Sequence, residues 1–455
     1  MNREIEKLGE KDIVIVGFGR EGQSIYRFIR KFYPEKPLAI ADRNDVSVDD
    51  LNITTYTGVE YLDSLMQYDT VFKSPGISDS LPQIKDAKEK GIEVTSQTRL
   101  FFAICEGKII GITGTKGKST TTSLVHHILT ESDLPAVLLG NIGKPCLDNL
   151  GDDFGKENYF CFELSSYQLS DLDKSPHIGV FLNIFREHLD YHGSEKAYFK
   201  AKSNITRHQS RSDFFVYNVD SEAVAKLAVE TKARTLGFSL EGRNGAGVFV
   251  SGENIIYRVG GKEESVIDVK KVPLIGKHNL NNIMAAILVA KALNIPTTKI
   301  AEAISTFTPL EHRLQLVAKK GEIEFIDDAV ATIPEATIAA IRALKGRVGS
   351  VILGGTDRGQ NFESLARELL QEKVSAVALF PDTGKRIWNA IEKLTSSEVP
   401  EHIFVEGMQE AVDFCYKNTP KGKVCLLSTA SPSYSVFRDY EDKANHFRQA
   451  IANLI

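Results

Sequence analysis

Twice in this chain an apolar, strand-like run ends in a glycine-rich turn that leads straight into an amphipathic helical pattern. That arrangement restricts the fold severely. A strand, a tight turn and a helix make half of a βαβ unit, and such units assemble into parallel sheets covered by helices. The remaining sequence continues in kind: apolar runs at 13–16, 109–112, 159–164, 180–183, 214–217, 351–353, 376–380 and 424–427 alternate with helical patterns. One such pattern, 121–129, places Leu124, Val125, Ile128 and Leu129 on a single face. The expected fold class is α/β, and 455 residues suffice for about three domains. Boundaries fall near residue 107, ahead of the strand that opens the second turn, and near 309, where a helical pattern ends at Thr308-Pro309. The predicted domains are 1–107, 108–309 and 310–455. Residues 240–272, glycine-rich with short alternating segments, read as β-hairpins decorating the middle one.

Composition removes several function classes. Lys and Arg total 55 against 60 Asp and Glu, a net charge of −5, so no basic excess marks a nucleic-acid binder. The N-terminal MNREIEKLGEKD is charged from the start, unlike a secretory signal, and the apolar run 283–290 is too short to cross a bilayer. Five cysteines, with no C-x-x-C pair, read as reduced thiols rather than a disulfide framework or a zinc site. A cytoplasmic protein without membrane or nucleic-acid partners is the expectation.

The first turn is Gly17-Phe18-Gly19-Arg20-Glu21-Gly22, a G-x-G-x-x-G. Its first glycine permits the turn, the second admits a phosphate to the backbone, and the third allows close helix packing. A second apolar run, 38–41, ends in Asp42-Arg43 about 20 residues on, where dinucleotide folds place a ribose contact. Lys73-Ser74-Pro75-Gly76 follows the strand-like 70–72 and faces the same crevice. Alone, this motif fits an NAD-dependent dehydrogenase, a uridine diphosphate presenting the same pyrophosphate, or a turn with no ligand.

The second turn, Gly111-Ile112-Thr113-Gly114-Thr115-Lys116-Gly117-Lys118-Ser119-Thr120, is more specific. Its glycines expose N–H groups to phosphate oxygens, Lys118 offers a point charge, and Ser119 or Thr120 can ligate Mg²⁺. The strict P-loop spacing is not kept, because Ile112 stands at the first glycine position. The G-T-x-G-K-S-T that remains resembles the ATP loop of the Mur ligases, which build the peptide stem of bacterial cell-wall precursors. The resemblance extends over essentially the whole chain. A Rossmann-type N-terminal domain with G-x-G-x-x-G and a later S-P-G is similar to that of the glutamate-adding members.

The resemblance implies three α/β domains: a Rossmann-like one for a UDP-linked substrate, a central ATPase and a Rossmann-like C-terminal one for the amino acid. It implies ATP and Mg²⁺ as cofactors, a monomer, and UDP-N-acetylmuramoyl-L-alanine and glutamate as substrates joined through an acyl phosphate. Gly17, Gly19, Arg20, Glu21, Gly22, Asp42, Arg43, Ser74, Pro75, Gly76, Asn141 and His188 would contact the UDP substrate. Gly114 to Thr120, Asn279, Asn282, Arg313 and Asp328 would hold ATP, with Lys118 acting on the transferred phosphate. Glu163, in Phe162-Glu163-Leu164-Ser165-Ser166-Tyr167-Gln168-Leu169, would bind metal with Ser119, His188 and a carbamylated lysine. In Tyr198-Phe199-Lys200-Ala201-Lys202 the register selects Lys202, whose carbamylation requires a neutral amine and hence a depressed pKa.

Thr332, Arg358, Ser433 and Tyr440 would form the amino-acid pocket. Here the sequence departs from the family: in Asp327-Asp328-Ala329-Val330-Ala331-Thr332 the usual serine and lysine are Ala329 and Val330, and a lysine often found further on is Arg358. Arg358 can still grip a carboxylate bidentately. D-glutamate is the expected isomer, with L-glutamate open. Against the ligase stand a dehydrogenase, which leaves 111–120 unexplained, and a non-catalytic ATP-binding relative.

Overall fold

The computed structural model describes residues 2–140, 144–185, 187, 189–242, 245–274, 276–394 and 399–454. Three sheets follow one another along the chain. The first contains β1 (Ile13–Val16), β2 (Leu38–Asp42), β3 (Ile53–Thr57), β4 (Thr70–Lys73) and β5 (Glu93–Thr95), all parallel in the order β3-β2-β1-β4-β5. Alternate residues of β1 enter different cores: Ile13 and Ile15 pack with Ile25, Phe28 and Ile29, while Val14 and Val16 pack with Leu62, Leu65 and Ile84. A continuous apolar strand is what a sheet covered on both faces demands. The strand order reverses between β1 and β4, and such a switch point opens a ligand crevice beyond the carboxyl ends of the strands.

The second sheet contains β6 (Lys108–Thr113), β7 (Ala136–Gly140), β8 (Tyr159–Glu163), β9 (Ile178–Phe181), β10 (Phe214–Asn218), β11 (Arg234–Ser239), β12 (Ala246–Ser251), β13 (Asn254–Val259) and β14 (Lys262–Asp268). Their order is β14-β13-β12-β11-β10-β9-β6-β8-β7. Two expectations need adjusting. The hairpins of 240–272 exist, but they extend the sheet instead of decorating it, because β12 pairs in parallel with β11 before β13 and β14 turn antiparallel. The strand expected at 180–183 is Ile178–Phe181; Asn183 has left the ladder, accepting from Lys116 N (2.9 Å) and donating to Lys116 O (2.9 Å).

The third sheet contains β15 (Gln315–Lys320), β16 (Ile323–Asp327), β17 (Val348–Gly355), β18 (Ala376–Asp382), β19 (Glu401–Phe404) and β20 (Val424–Leu427), in the order β15-β16-β20-β17-β18-β19. Only β15 runs antiparallel to its neighbour.

Residues 1–272 and 281–307 form one compact unit that holds the first two sheets; residues 273–280 and 308–455 form another, around the third. The first unit owes its coherence to a shared core. Helix Gln97–Ile104 sets Phe101 edge-on against Phe160 (5.2 Å) and Phe162 (5.7 Å) of β8. Ser24 and Arg27 add bonds to Asp148 at 2.8 and 2.6 Å. The five cysteines are free thiols, four of them buried. Among the described residues no helix is long and apolar enough to cross a membrane.

Candidate active site

The first turn is built as its glycines require. Gly17 has φ +85°, and Ser74 Oγ donates to its carbonyl at 2.8 Å, tying the ends of β1 and β4 together. A Cβ on Gly22 would stand 2.1 Å from Gly17 O, whereas one on Gly19 would meet nothing within 4 Å. The third glycine is therefore a packing glycine and the second an open approach to the start of helix Arg20–Phe32. Gly22→Ala is expected to cost about 1–3 kcal/mol or more, since the clash is with backbone, while Gly19→Ala should leave the thermal unfolding midpoint nearly unchanged. Asp42 is committed to this turn: Oδ2 accepts from Phe18 N (2.7 Å) and Oδ1 from Asn44 N (2.8 Å). Arg43 is exposed beside it.

The second turn leaves β6 through Gly114 and enters helix Lys118–Glu131 through Gly117, at φ +87°. A Cβ on Gly117 would fall 2.3 Å from Asn282 Oδ1, so the buried Asn282 of helix Lys277–Ala292 presses on the loop. Lys118 folds its Nζ back onto Gly114 O (3.1 Å) and Thr115 O (3.0 Å). Lys116 pairs with Glu187 at 2.8 Å, and Thr115 Oγ1 lies 3.2 Å from Tyr198 OH.

Lys202, on helix Glu195–Arg207, is 1% exposed, whereas Lys200 points to solvent. Its Nζ donates to Thr113 Oγ1 (3.1 Å) and Gly114 O (3.0 Å) and lies 5.0 Å from the Tyr198 ring centre. Burial, reinforced by the neighbouring Lys118 charge, holds this amine well below the ordinary lysine range. Glu163 ends β8 almost fully buried, and its Oε2 has no hydrogen-bond partner. An orphaned carboxylate oxygen is costly unless something pairs with it, so Glu163 fits a cation ligand. Among the described residues no group of three or more His, Cys, Asp and Glu side chains is placed to hold a metal by itself.

One cavity of about 530 Å³ joins the two turns. Gly19, Arg20 and 74–76 line it from the first sheet, Lys118 and Lys202 from the second, with Glu21, Tyr198 and 165–168 between. The Ser165 hydroxyl caps helix Ser166–Leu169 in a reciprocal box with Gln168, which also reaches Glu21 Oε1 at 3.1 Å. His192 lies 3.0 Å from Ser166 Oγ and stacks on Tyr167. Sequence reasoning had assigned no role to Gln168, Tyr167, His192 or Tyr198. Asn141 and His188 lie outside the described residues, and neither Asp42 nor Arg43 lines the cavity.

In the second unit, Thr332, Arg358, Ser433 and Tyr440 all follow the carboxyl ends of the central strands β16, β17 and β20, the edge where an open parallel sheet binds ligands. Thr356 N donates to Pro432 O (2.9 Å), joining the Arg358 and Ser433 loops. Arg358 is exposed, 5.9 Å from the Tyr434 ring centre, and Ser433 Oγ is buried without a partner. Asp328 accepts from Ser428 Oγ at 2.8 Å, and burial pushes its carboxyl up to about 7. Arg313 sits between two non-glycine residues at positive φ, His312 (+61°) and Leu314 (+47°), and His312 is tied to Asp327 at 2.7 Å. Asn279 is buried in the first turn of helix Lys277–Ala292.

Family models match all three sheets: "Mur ligase MurD-like, N-terminal domain" at residues 11–96, "Mur ligase middle domain" at 112–290, and "Mur ligase, glutamate ligase domain" at 312–430. The chain is 34% identical over 453 residues to UDP-N-acetylmuramoylalanine--D-glutamate ligase of Geobacillus sp. (strain WCH70), with 98% of each chain covered. It is 32% identical over 462 residues to the enzyme of that name from Listeria monocytogenes serovar 1/2a, covering 100% of this chain and 99% of the other. In fold it is similar to UDP-N-acetylmuramate-alanine ligase MurC from Thermotoga maritima, with a TM-score of 0.62 at 20% identity over 97% and 99% of the two chains. MurF ligase of the same organism in complex with ADP gives 0.60 at 19% identity, over 98% and 96%.

Proposed function

We propose that this chain, which belongs to the Mur ligase family, joins D-glutamate to UDP-N-acetylmuramoyl-L-alanine in an ATP-dependent reaction that passes through an acyl phosphate. The observation that carries the reading is the single cavity reaching from Gly19, Arg20 and 74–76 to Lys118 and Lys202. A nucleotide-linked substrate held at the first turn would extend its free carboxylate toward the ATP loop. The dehydrogenase reading leaves that loop without a use.

The functional division is 1–107 for the UDP substrate, 108–309 for ATP and 310–455 for the amino acid. Residues 114–120 hold the phosphates, with Asn279, Asn282, Arg313 and Asp328 assigned to the rest of the nucleotide. Lys118 is freed from the Gly114 and Thr115 carbonyls when a phosphate replaces them. The substrate carboxylate attacks the γ-phosphorus and ADP leaves; the glutamate amine then attacks the acyl carbon, and the tetrahedral intermediate expels phosphate. Phosphoryl transfer asks mainly for alignment and charge neutralisation. Ser119, Glu163 and carbamylated Lys202 would hold Mg²⁺, which supplies part of that neutralisation when bound; His188 is assigned by the family resemblance alone. The acyl phosphate must be shielded from water, which the buried Tyr198 helix and the 165–168 turn favour. Gly17 to Gly22 and Ser74 to Gly76 bind the UDP end, with Asn141, Asp42 and Arg43 kept as family-based assignments. We place the reaction in the cytoplasm, where ATP and nucleotide-activated precursors meet, with the chain acting as a monomer.

Thr332, Arg358, Ser433 and Tyr440 take the amino acid. Phosphate release with UDP-N-acetylmuramoyl-L-alanine, ATP, Mg²⁺ and each glutamate enantiomer tests the reading, with turnover expected on D-glutamate. Faster turnover on L-glutamate would reverse the isomer, and none on either would overturn the substrate. Arg358→Ala should raise the KM for glutamate about 10- to 100-fold, the loss of a charge-assisted hydrogen bond, and leave that for ATP unchanged.

A further inference from the structure

Glu21 is a misfit in an anion-binding turn. It occupies the first turn of helix Arg20–Phe32, one residue before the packing glycine, and lines the 530 Å³ cavity beside Gly19 and Arg20. It also lines a second cavity of about 130 Å³ with Gln97, Cys146 and Phe162. Its Oε1 accepts from Gln168 Nε2 at 3.1 Å, while Oε2 is buried and has no hydrogen-bond partner. A carboxylate with one oxygen unsatisfied, at the place where the turn offers N–H groups to a phosphate, would repel the ligand that the turn is shaped for.

The surroundings resolve the conflict. Burial is the largest influence on Glu21 and pushes its carboxyl up to about 7, with Asp171 adding to it; Gln168, Lys73 and Arg20 oppose the shift. Lys73 is partly engaged elsewhere, donating to Ile77 O (2.7 Å) and lying 3.5 Å from Asp79. The Cys146 thiol, on the side of the smaller cavity, is held neutral by its burial. Asp171 is half-buried, and desolvation raises its carboxyl as well. Free Glu21 is thus divided between acid and carboxylate near neutrality, and a fixed negative charge arriving in the cavity favours the acid.

We propose that Glu21 is a proton-coupled binding residue of the nucleotide subsite: it takes up one proton from solvent as the diphosphate-bearing substrate enters, so that a neutral acid and not a carboxylate lines the cavity beside the diphosphate. The inference rests on the assignment of the 17–22 turn to the UDP substrate. An acid at this position admits a diphosphate only together with a proton, so affinity falls as pH rises past neutrality. The limiting slope for one proton is about tenfold per pH unit.

The test is calorimetric titration of UDP-N-acetylmuramoyl-L-alanine into the full chain at about pH 6.5 and about pH 8.5, in buffers of different ionisation heat. The diphosphate diester of this probe has no group of its own titrating near neutrality. Uptake approaching one proton is expected at the higher pH, with weaker binding there than at the lower. Glu21→Gln should abolish both the uptake and the pH dependence, and Asp171→Asn should retain them. Binding by the unaltered protein without proton uptake, or uptake that survives Glu21→Gln, overturns the proposal and leaves the nucleotide assignment standing. No binding of the probe by a protein that still binds ATP refutes that assignment, and this inference with it.

Discussion

Lys118→Ala is expected to lower phosphate release by about 10²- to 10³-fold or more, the usual consequence of removing one positioned charge from a phosphoryl-transfer site. Before ATP arrives, Lys118 Nζ donates to two carbonyls of its own loop, Gly114 O and Thr115 O, and lines the cavity. Lys118 is only partly buried, so the unfolding midpoint should stay close to that of the parent. Turnover within a few-fold of the parent would remove this loop from the chemistry.

Lys202→Ala should bring a loss of similar order, and a short carboxylic acid such as formate should restore part of it. The reasoning is spatial. A carbamate on Lys202 would put an anion beside Glu163 and Lys118, and removing the side chain leaves room for a small carboxylate in its place. Lys202 is buried against Thr113 and Gly114, so Lys202→Met, which keeps the volume, separates lost chemistry from lost packing. Lys200→Ala should have little effect, because residues two apart on a helix face different directions and Lys200 is exposed. Loss in Lys200→Ala with full activity in Lys202→Ala would reverse the choice of lysine.

Local chemistry was the legible part of this protein. The steric reasons for Gly17 and Gly22 follow from the turn alone: Gly17 has φ +85°, and a Cβ on Gly22 would strike Gly17 O. The choice of Lys202 over Lys200 agrees with which of the two is buried. What could not be read is whatever depends on elements distant in sequence meeting. Gln168 reaches Glu21 across 147 positions, and Tyr198 reaches Thr115 across 83; neither pairing leaves a periodic trace. Asp42 shows the opposite limit. Its position after β2 suggests a ligand contact, but nothing in that position shows that each carboxylate oxygen also accepts a backbone N–H of the fold itself. The hairpin strands 246–268 were recognisable as strands, but their continuation of a parallel sheet depends on the β11–β12 register, which no local pattern encodes.

The cavity between the two turns works as a caliper. Its jaws belong to different sheets, but their separation is fixed by the shared Phe101–Phe160–Phe162 core and by the Ser24 and Arg27 bonds to Asp148. On the proposed reading, a substrate gripped at one jaw would present its far end at a set distance. A nucleotide sugar lacking the alanine, or carrying one residue too many, can be held as firmly at the first turn and still bring its carboxylate short of, or past, the line of attack. Discrimination by length should then show in kcat more than in KM, because misplacement is felt only when the bond forms.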